Sequence, residues 1–197
     1  MATKLFSLRA GMSGMDLARF FEVNEKTGQR MNRILRKATF DVQPEKLFGP
    51  SEWDESVPIR EQWVVGGVSR MTRECLLFPV SDRSERTLVP LVERHTDTDS
   101  PIFTDEWLGY GGLMNHWTVC HKREFVRKEA RFVHTNTQEG IWGHLKPLGW
   151  HIYRGFPRET LPEFLSEFMF RRNISCYQTR VSVLSGLLSR KIHTLLV

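Results

Sequence analysis

Gln62-Trp63-Val64-Val65-Gly66-Gly67-Val68-Ser69-Arg70-Met71-Thr72-Arg73-Glu74-Cys75-Leu76-Leu77-Phe78-Pro79-Val80 is the stretch that decides the fold of this chain. Its two ends, Gln62 to Val68 and Glu74 to Val80, are short β-rich runs. Ser69 to Arg73 between them is short and mostly polar, so the stretch predicts an antiparallel hairpin.

Toward the C-terminus the period changes. Leu88, Leu91 and Val92 repeat at helical spacing along Arg86 to His95, and Pro101 to Thr104 is a compact strand that ends at Asp105. A strand, helix, strand crossover is therefore predicted, and Trp117 to Cys120 offers a further strand. Asn136 to Lys146 and Thr160 to Arg172 read as helices. Thr160 with Glu163 has the pattern of a capping box, and Leu161, Phe164, Leu165 and Phe168 form an apolar stripe that reads as core. The fold class is mixed α/β.

Toward the N-terminus, Asp41 to Ser51, with Pro44, Gly49 and Pro50, reads as a linker. Before it, Ser13 caps a short helix through Asp16, Leu17, Ala18, Phe20 and Phe21, and Asn24 caps a second through Ile34, Leu35 and Arg36. Two short helices divided by a tight turn suggest a helix-turn-helix. The second bears Lys26, Gln29, Arg30, Arg33, Arg36 and Lys37, donors long enough to reach phosphates and base edges in a major groove. Gly28 inside that helix, and Glu22 where such turns usually carry glycine, run against the pattern. The competing reading is a solvated basic helix of a small bundle.

Charge supports a polyanion contact at this end. The 197 residues carry a formal net charge of +5, and residues 1 to 40, with eight Lys or Arg against three Asp or Glu, account for all of it. A hydrophobic content of 40% excludes a disordered chain. Cys75, Cys120 and Cys176 are far apart with no Cys-x-x-Cys spacing, which suggests neither a disulfide framework nor a zinc ribbon and fits a reducing compartment. The apolar stretch around Leu5 to Leu8 is far shorter than a signal peptide, and no uninterrupted apolar run approaches membrane-spanning length, so no membrane partner is expected.

The predicted topology sets Asp54, beside the end of the first strand, next to Asp105 at the end of the crossover strand. A third acid on a later helix packed at that edge completes a cage for two divalent cations, and Glu139 is placed to supply it. Lys146 follows Glu139 by two helical turns and projects from the same face, where it can hold a DNA phosphate. Each residue has a plainer reading: Asn136 and Glu139 as a helix cap, Asp105 and Glu106 as a helix start, Asp54 and Glu55 as a solvated turn. His134 and His144 flank Glu139 but lack a second ligand at close spacing and are left out of the site.

Trp53-Asp54-Glu55-Ser56, Gln62-Trp63-Val64-Val65-Gly66-Gly67-Val68, Asp82-Arg83-Ser84, Thr104-Asp105-Glu106-Trp107, His134-Thr135-Asn136-Thr137-Gln138-Glu139-Gly140 and Glu167-Phe168-Met169-Phe170-Arg171-Arg172 occur in this order. Together, from about Leu47 to Asn173, they resemble the DDE transposases of the Merlin superfamily and their bacterial insertion-sequence relatives. The resemblance implies an RNase H-like mixed sheet flanked by helices, two Mg²⁺ or Mn²⁺ ions held by Asp54, Asp105 and Glu139, and catalysis by these residues with Lys146. It also implies double-stranded DNA as partner, both terminal inverted repeats and target, with strand nicking, strand transfer and a homo-oligomer on the DNA.

On this reading residues 1–40 are a helix-turn-helix-like DNA-binding segment, with Lys26, Gln29, Arg30 and Arg33 as contacts together with Lys146 of the core. Residues 41–51 are the linker, 52–173 the catalytic core and 174–197 a tail of unassigned role. The separation of 51 positions from Asp54 to Asp105 is shorter than such relatives usually show, because their basic, Gly-containing loop after the first Asp is reduced here to Glu55 to Gln62. The alternative function is accordingly a catalytically inactive, host-adopted remnant that only binds DNA. The expected location is the nucleus in a eukaryote or the nucleoid in a bacterium.

Overall fold

Three consecutive strands form one side of the sheet: β1 (Ser51–Ile59), β2 (Gln62–Ser69) and β3 (Cys75–Val80). They pair antiparallel, Asp54 opposite Gly66 and Val65 opposite Phe78. The helix α3 (Glu85–His95) then crosses over to β4 (Ile102–Asp105), which runs parallel to β1, and β5 (His116–Val119) pairs parallel with β4. The strand order is β3-β2-β1-β4-β5, a mixed five-stranded sheet of the RNase H-like kind. The computed structural model describes residues 13–59, 62–119, 132–151 and 158–196; Cys120, at the end of the predicted fifth strand, lies outside them.

The fold absorbs the shortened segment after Asp54 as strand. β1 continues through Asp54 to Ile59, with an irregularity in its pairing between Ser56 and Ile59, and Ile59 pairs with Gln62 of β2. Within the segment 41–51, Leu47 is fully buried and bridges to Thr96, and Gly49 takes a left-handed φ of 70° that favours glycine.

The helix α4 (Asn136–His151) packs on β1 and β2. Gly66 makes the close approach possible, since a Cβ there would run into the side-chain amide of Gln138 and stand 2.8 Å from the indole of Trp142. Trp53 fills the opposite face of the hairpin, against Gly67, and is fully buried. α4 therefore rests on the face that carries Glu52 and Asp54, because alternate residues of a strand share a face.

A second unit is helical. α1 (Gly14–Phe20), α2 (Glu25–Ala38), α5 (Leu161–Asn173) and α6 (Tyr177–Leu196) belong to it. The chain divides into Met1–Gln43 with Thr160–Val197 on one hand and Pro44–Glu159 on the other. The segment 161–173 and the residues after it thus fall with the N-terminal helices, whereas the sheet unit stops at Glu159. Leu17, Leu35, Ala38, Phe170 and Leu184 form the helical core.

Ser13 caps α1 through a full capping box with Asp16, and Asn24 caps α2 by accepting from the Thr27 N–H at 2.9 Å. The two features that seemed unfavourable to paired helices have physical reasons. Gly28 sits where α2 crosses α1: a Cβ would stand 2.6 Å from the Ala18 methyl and collide with the Gly14 carbonyl. Glu22, in the turn between the helices, holds a φ of 53°, the left-handed conformation such a turn demands. Glu22→Gly is expected to stabilise the helical unit by up to about 1 kcal/mol, the relief of left-handed strain exceeding the entropy glycine adds to the unfolded chain. Chemical denaturation followed by circular dichroism checks it; an unchanged or lower midpoint argues against strain at Glu22.

The capping box expected at Thr160 does not form as read. The Thr160 side chain makes no capping hydrogen bond, Pro162 opens α5 instead, and Glu163 accepts from the Arg33 Nε at 3.1 Å. A charged long-range partner outcompetes the local backbone for this carboxylate.

Candidate active site

Strand register brings the first two acids together. Ser51 pairs with Ile102 and Glu52 with Phe103, and continuing that register sets Asp54 level with Asp105. Asp54, Glu55 and Asp105 each present a carboxylate oxygen within 4.8 Å of the others. Three like charges this close repel one another unless a proton or a cation intervenes.

Asp54 reflects its burial first and that crowding second. Burial, above all, pushes its pKa up to about 7, with Glu55 and Asp105 adding to the rise. Two donors work the other way: the Trp142 indole N–H on Oδ2 and the Glu55 backbone N–H on Oδ1, each at 2.8 Å. Glu55 is also raised by burial, but both of its oxygens are engaged, Oε2 by the Tyr110 hydroxyl at 2.7 Å and Oε1 by Arg83 at 3.0 Å. Arg83 in turn is sandwiched between the rings of Trp63 and Trp107, at 4.0 and 3.9 Å from their centroids. Trp107 donates its backbone N–H to Asp105 Oδ1 at 3.0 Å and its indole N–H to the Arg83 carbonyl at 2.9 Å. Asp105, Trp107, Arg83 and Glu55 are thereby locked in one ring of contacts.

The donor set suits a hard divalent cation. Among the described residues the ligand atoms that converge here are carboxylate oxygens, Arg83 partly neutralises the charge on Glu55, and burial drives Asp54 toward protonation. Asp54 and Asp105 are the residues that would hold such an ion, since Glu55 is already paired.

Glu139 lies in the first turn of α4 and is half-buried. It is outside the three-carboxylate cluster found among the described residues. It precedes Trp142 by three positions, so it occupies the helix face whose tryptophan reaches Asp54, about 4.5 Å away along the axis. Lys146, four residues beyond Trp142, continues the same face and is exposed.

The entry to α4 is held by a residue the sequence reading passed over. Glu52, fully buried, accepts from the N–H groups of Thr137 at 2.8 Å and Gln138 at 3.1 Å and from the Thr137 hydroxyl at 3.0 Å. The helix-capping role considered for Asn136 is thus filled from β1. Arg70 donates to Glu52 at 2.8 Å and to the carbonyls of Phe132 and His134, just ahead of the helix. His134 approaches Glu52 at 3.3 Å without hydrogen-bonding geometry at its Nδ1.

In the helical unit, Lys26, Gln29, Arg30, Arg33 and Lys37 are exposed along α2, opposite the buried Gly28, Asn32, Leu35 and Ala38. Arg33, 62% exposed, pairs with Glu163, and Arg36 pairs with the buried Glu167 at 2.6 Å. Arg36 therefore serves the interior of its unit.

Residues 59–173 match the ISXO2-like transposase domain. The chain belongs to that family. It is a DDE transposase of the bacterial insertion-sequence type, and the matched span takes in Asp105, Glu139 and Lys146, with Asp54 five residues before its start. The transposase is also similar to an uncharacterized transposase-like protein of Haemophilus influenzae, with 26% identity over 107 residues that cover 51% of this chain and 82% of that protein. Among the described residues, no helix of the transposase is long and apolar enough to cross a membrane.

Proposed function

We propose that the transposase cuts and joins DNA at a divalent-metal pocket held by Asp54, Asp105 and Glu139, with two Mg²⁺ or Mn²⁺ ions as cofactor. The observation that supports this reading is the convergence of Asp54, Glu55 and Asp105, with carboxylate oxygens within 4.8 Å of one another where β1 runs parallel to β4, and burial pushes Asp54 up to about 7. Bound there, the ions supply a lowered pKa for an attacking water or 3′-hydroxyl and stabilisation for the leaving oxygen of an in-line displacement.

The chain's own residues prepare that chemistry. Trp142 orients the Asp54 carboxylate and the Trp107 backbone N–H orients Asp105. Tyr110 and Arg83 engage both Glu55 oxygens, so on this reading the Asp pair supplies the ligands. Lys146 holds a phosphate of the DNA at the far end of the α4 face, about 10 Å from Glu139 along the axis. Lys26, Gln29, Arg30 and Arg33 on α2 contact double-stranded DNA at the terminal inverted repeats, through a helix-turn-helix formed by α1 and α2. The assembly on DNA is a homo-oligomer and works at the nucleoid of a bacterial host.

The test combines purified protein, Mg²⁺ or Mn²⁺, and oligonucleotides carrying the inverted repeats that flank the gene, beside Asp105→Ala. Metal-dependent nicking and joining by the wild type and none by the variant is the expected result; binding without joining in either sustains the inactive-remnant reading instead. Affinity for the repeats should fall steeply with salt, and Lys26→Ala with Arg30→Ala should flatten that slope by about two. A slope unchanged by the double variant removes α2 as the DNA-contact surface.

A further inference from the structure

A buried carboxylate two residues from Asp54 has no place in the chemistry above, yet both of its oxygens are hydrogen-bonded. Glu52 sits on β1, on the same face as Asp54, with none of its surface exposed. Its two oxygens collect the Thr137 and Gln138 N–H groups, the Thr137 hydroxyl and the Arg70 guanidinium. Arg70 extends the grip backward to the carbonyls of Phe132 and His134. One ion pair therefore clamps the chain on both sides of the point where α4 begins.

The clamp has a geometric consequence. The hydrogen bonds from Thr137 and Gln138 fix the first turn of α4 against β1 at residue 52, and the Trp142 indole fixes the second turn against β1 at residue 54. Glu139 lies between these two attachments. With both ends of that short arc pinned to one strand, neither the height nor the rotation of the helix at Glu139 is free.

We propose that Glu52 is a positioning residue: it acts through α4, holding the turn that carries Glu139 in register with the strand that carries Asp54, and so sets how tightly the acidic pocket binds its divalent cation. The inference rests on the reading of Glu139 as a metal ligand. Glu52 itself touches neither metal nor DNA. A neutral amide in its place keeps the shape and one acceptor oxygen but presents an NH₂ group to the backbone N–H or to Arg70, so the first turn must shift.

The test is a double-mutant cycle on Mn²⁺ binding, measured by titration calorimetry on the full chain without DNA. Glu52→Gln, Glu139→Gln and the pair are compared below their unfolding temperatures. Glu52→Gln is expected to weaken Mn²⁺ binding about 10-fold or more, and to have almost no further effect once Glu139 is Gln. Glu52→Asp, which keeps the charge but withdraws it by one methylene, should fall between Glu52→Gln and the wild type. Equal losses from Glu52→Gln with and without Glu139, or no loss at all, overturn the proposal. If Glu139→Gln alone leaves Mn²⁺ affinity unchanged, the reading of Glu139 as a ligand fails and takes this inference with it, a result distinct from failure of the clamp alone. Should Glu52→Gln not fold, Thr137→Val removes only the hydroxyl arm of the clamp and must show the same dependence on Glu139 at a smaller amplitude; additivity there overturns the proposal.

Discussion

Glu139→Gln is expected to lower metal-dependent cleavage of terminal-repeat DNA on the order of 10³-fold or more, whereas Glu55→Gln should cost no more than about 10-fold. The contrast follows from how the two glutamates are occupied. Glu55 lies nearer the aspartates in the assembled cluster, but its oxygens already accept from Tyr110 and Arg83, and the latter is held in place by two tryptophan rings. Removing its charge leaves Arg83 half-paired in a largely enclosed setting, so the penalty falls on stability, roughly 1–3 kcal/mol, more than on rate. Glu139 shares a helix face with Trp142, which already reaches Asp54. Single-turnover cleavage at saturating Mn²⁺, set beside denaturation of each variant, separates the two effects. The reverse order, with Glu55→Gln inactive and Glu139→Gln active, makes Glu55 the third ligand.

At pH 8 without metal, Asp54→Asn is expected to be more stable than the wild type, by on the order of 2–4 kcal/mol. The folded protein raises the Asp54 pKa from 3.8 to about 7, chiefly through burial, so the folded state favours the protonated acid. Stability from such a group is complete below about pH 4 and is lost as pH rises through about 7. Glu55, raised in the same direction, adds to the trend, and Asp105 is the remaining carboxylate that faces the pair. Asparagine keeps a side-chain oxygen for the Trp142 indole but carries no charge, so its advantage should shrink toward pH 5. Mn²⁺ should reverse the comparison at pH 8, stabilising the wild type and not the variant. Urea denaturation at pH 5 and pH 8, with chelator or with Mn²⁺, checks all four arms. A variant less stable than the wild type at pH 8 in chelator contradicts a buried Asp54 carboxylate that folding drives toward protonation.

Much of this architecture was legible because it depends on short-range patterns. The short β-rich runs Gln62 to Val68 and Glu74 to Val80 marked the hairpin, the helical period of Leu88, Leu91 and Val92 marked the crossover, and Ser13 and Asn24 marked two helix starts. Where the reading was incomplete, a long-range partner had intervened. β1 was hard to see as a strand because Asp54, Glu55 and Pro58 are poor strand formers, and pairing on two sides overrides that propensity. Glu163 looked like a cap and became the partner of Arg33, while the cap of α4 came from Glu52, 85 residues before Thr137. No local rule announces a carboxylate that caps a helix so far along the chain.

The acidic site was legible to a similar depth. Asp54 and Asp105 were placed by topology and meet as expected, but Glu55 looked like its neighbour's solvated companion until Tyr110 and Arg83 enclosed it. Trp142 carried a readable signal, its three-residue spacing from Glu139, yet a tryptophan on a helix reads first as core. Gly28 and Glu22 show the converse case, in which residues that oppose a motif in isolation are explained by a close helix crossing and a left-handed turn.

The most direct test of the metal pocket is a Mn²⁺ titration of the transposase by calorimetry, repeated on Asp105→Asn. Saturable binding of two ions by the wild type is expected, with affinity rising as pH climbs through about 7, and loss of at least one ion in the variant. Binding that is absent, or that survives unchanged in Asp105→Asn, contradicts a catalytic metal site at the β1–β4 edge.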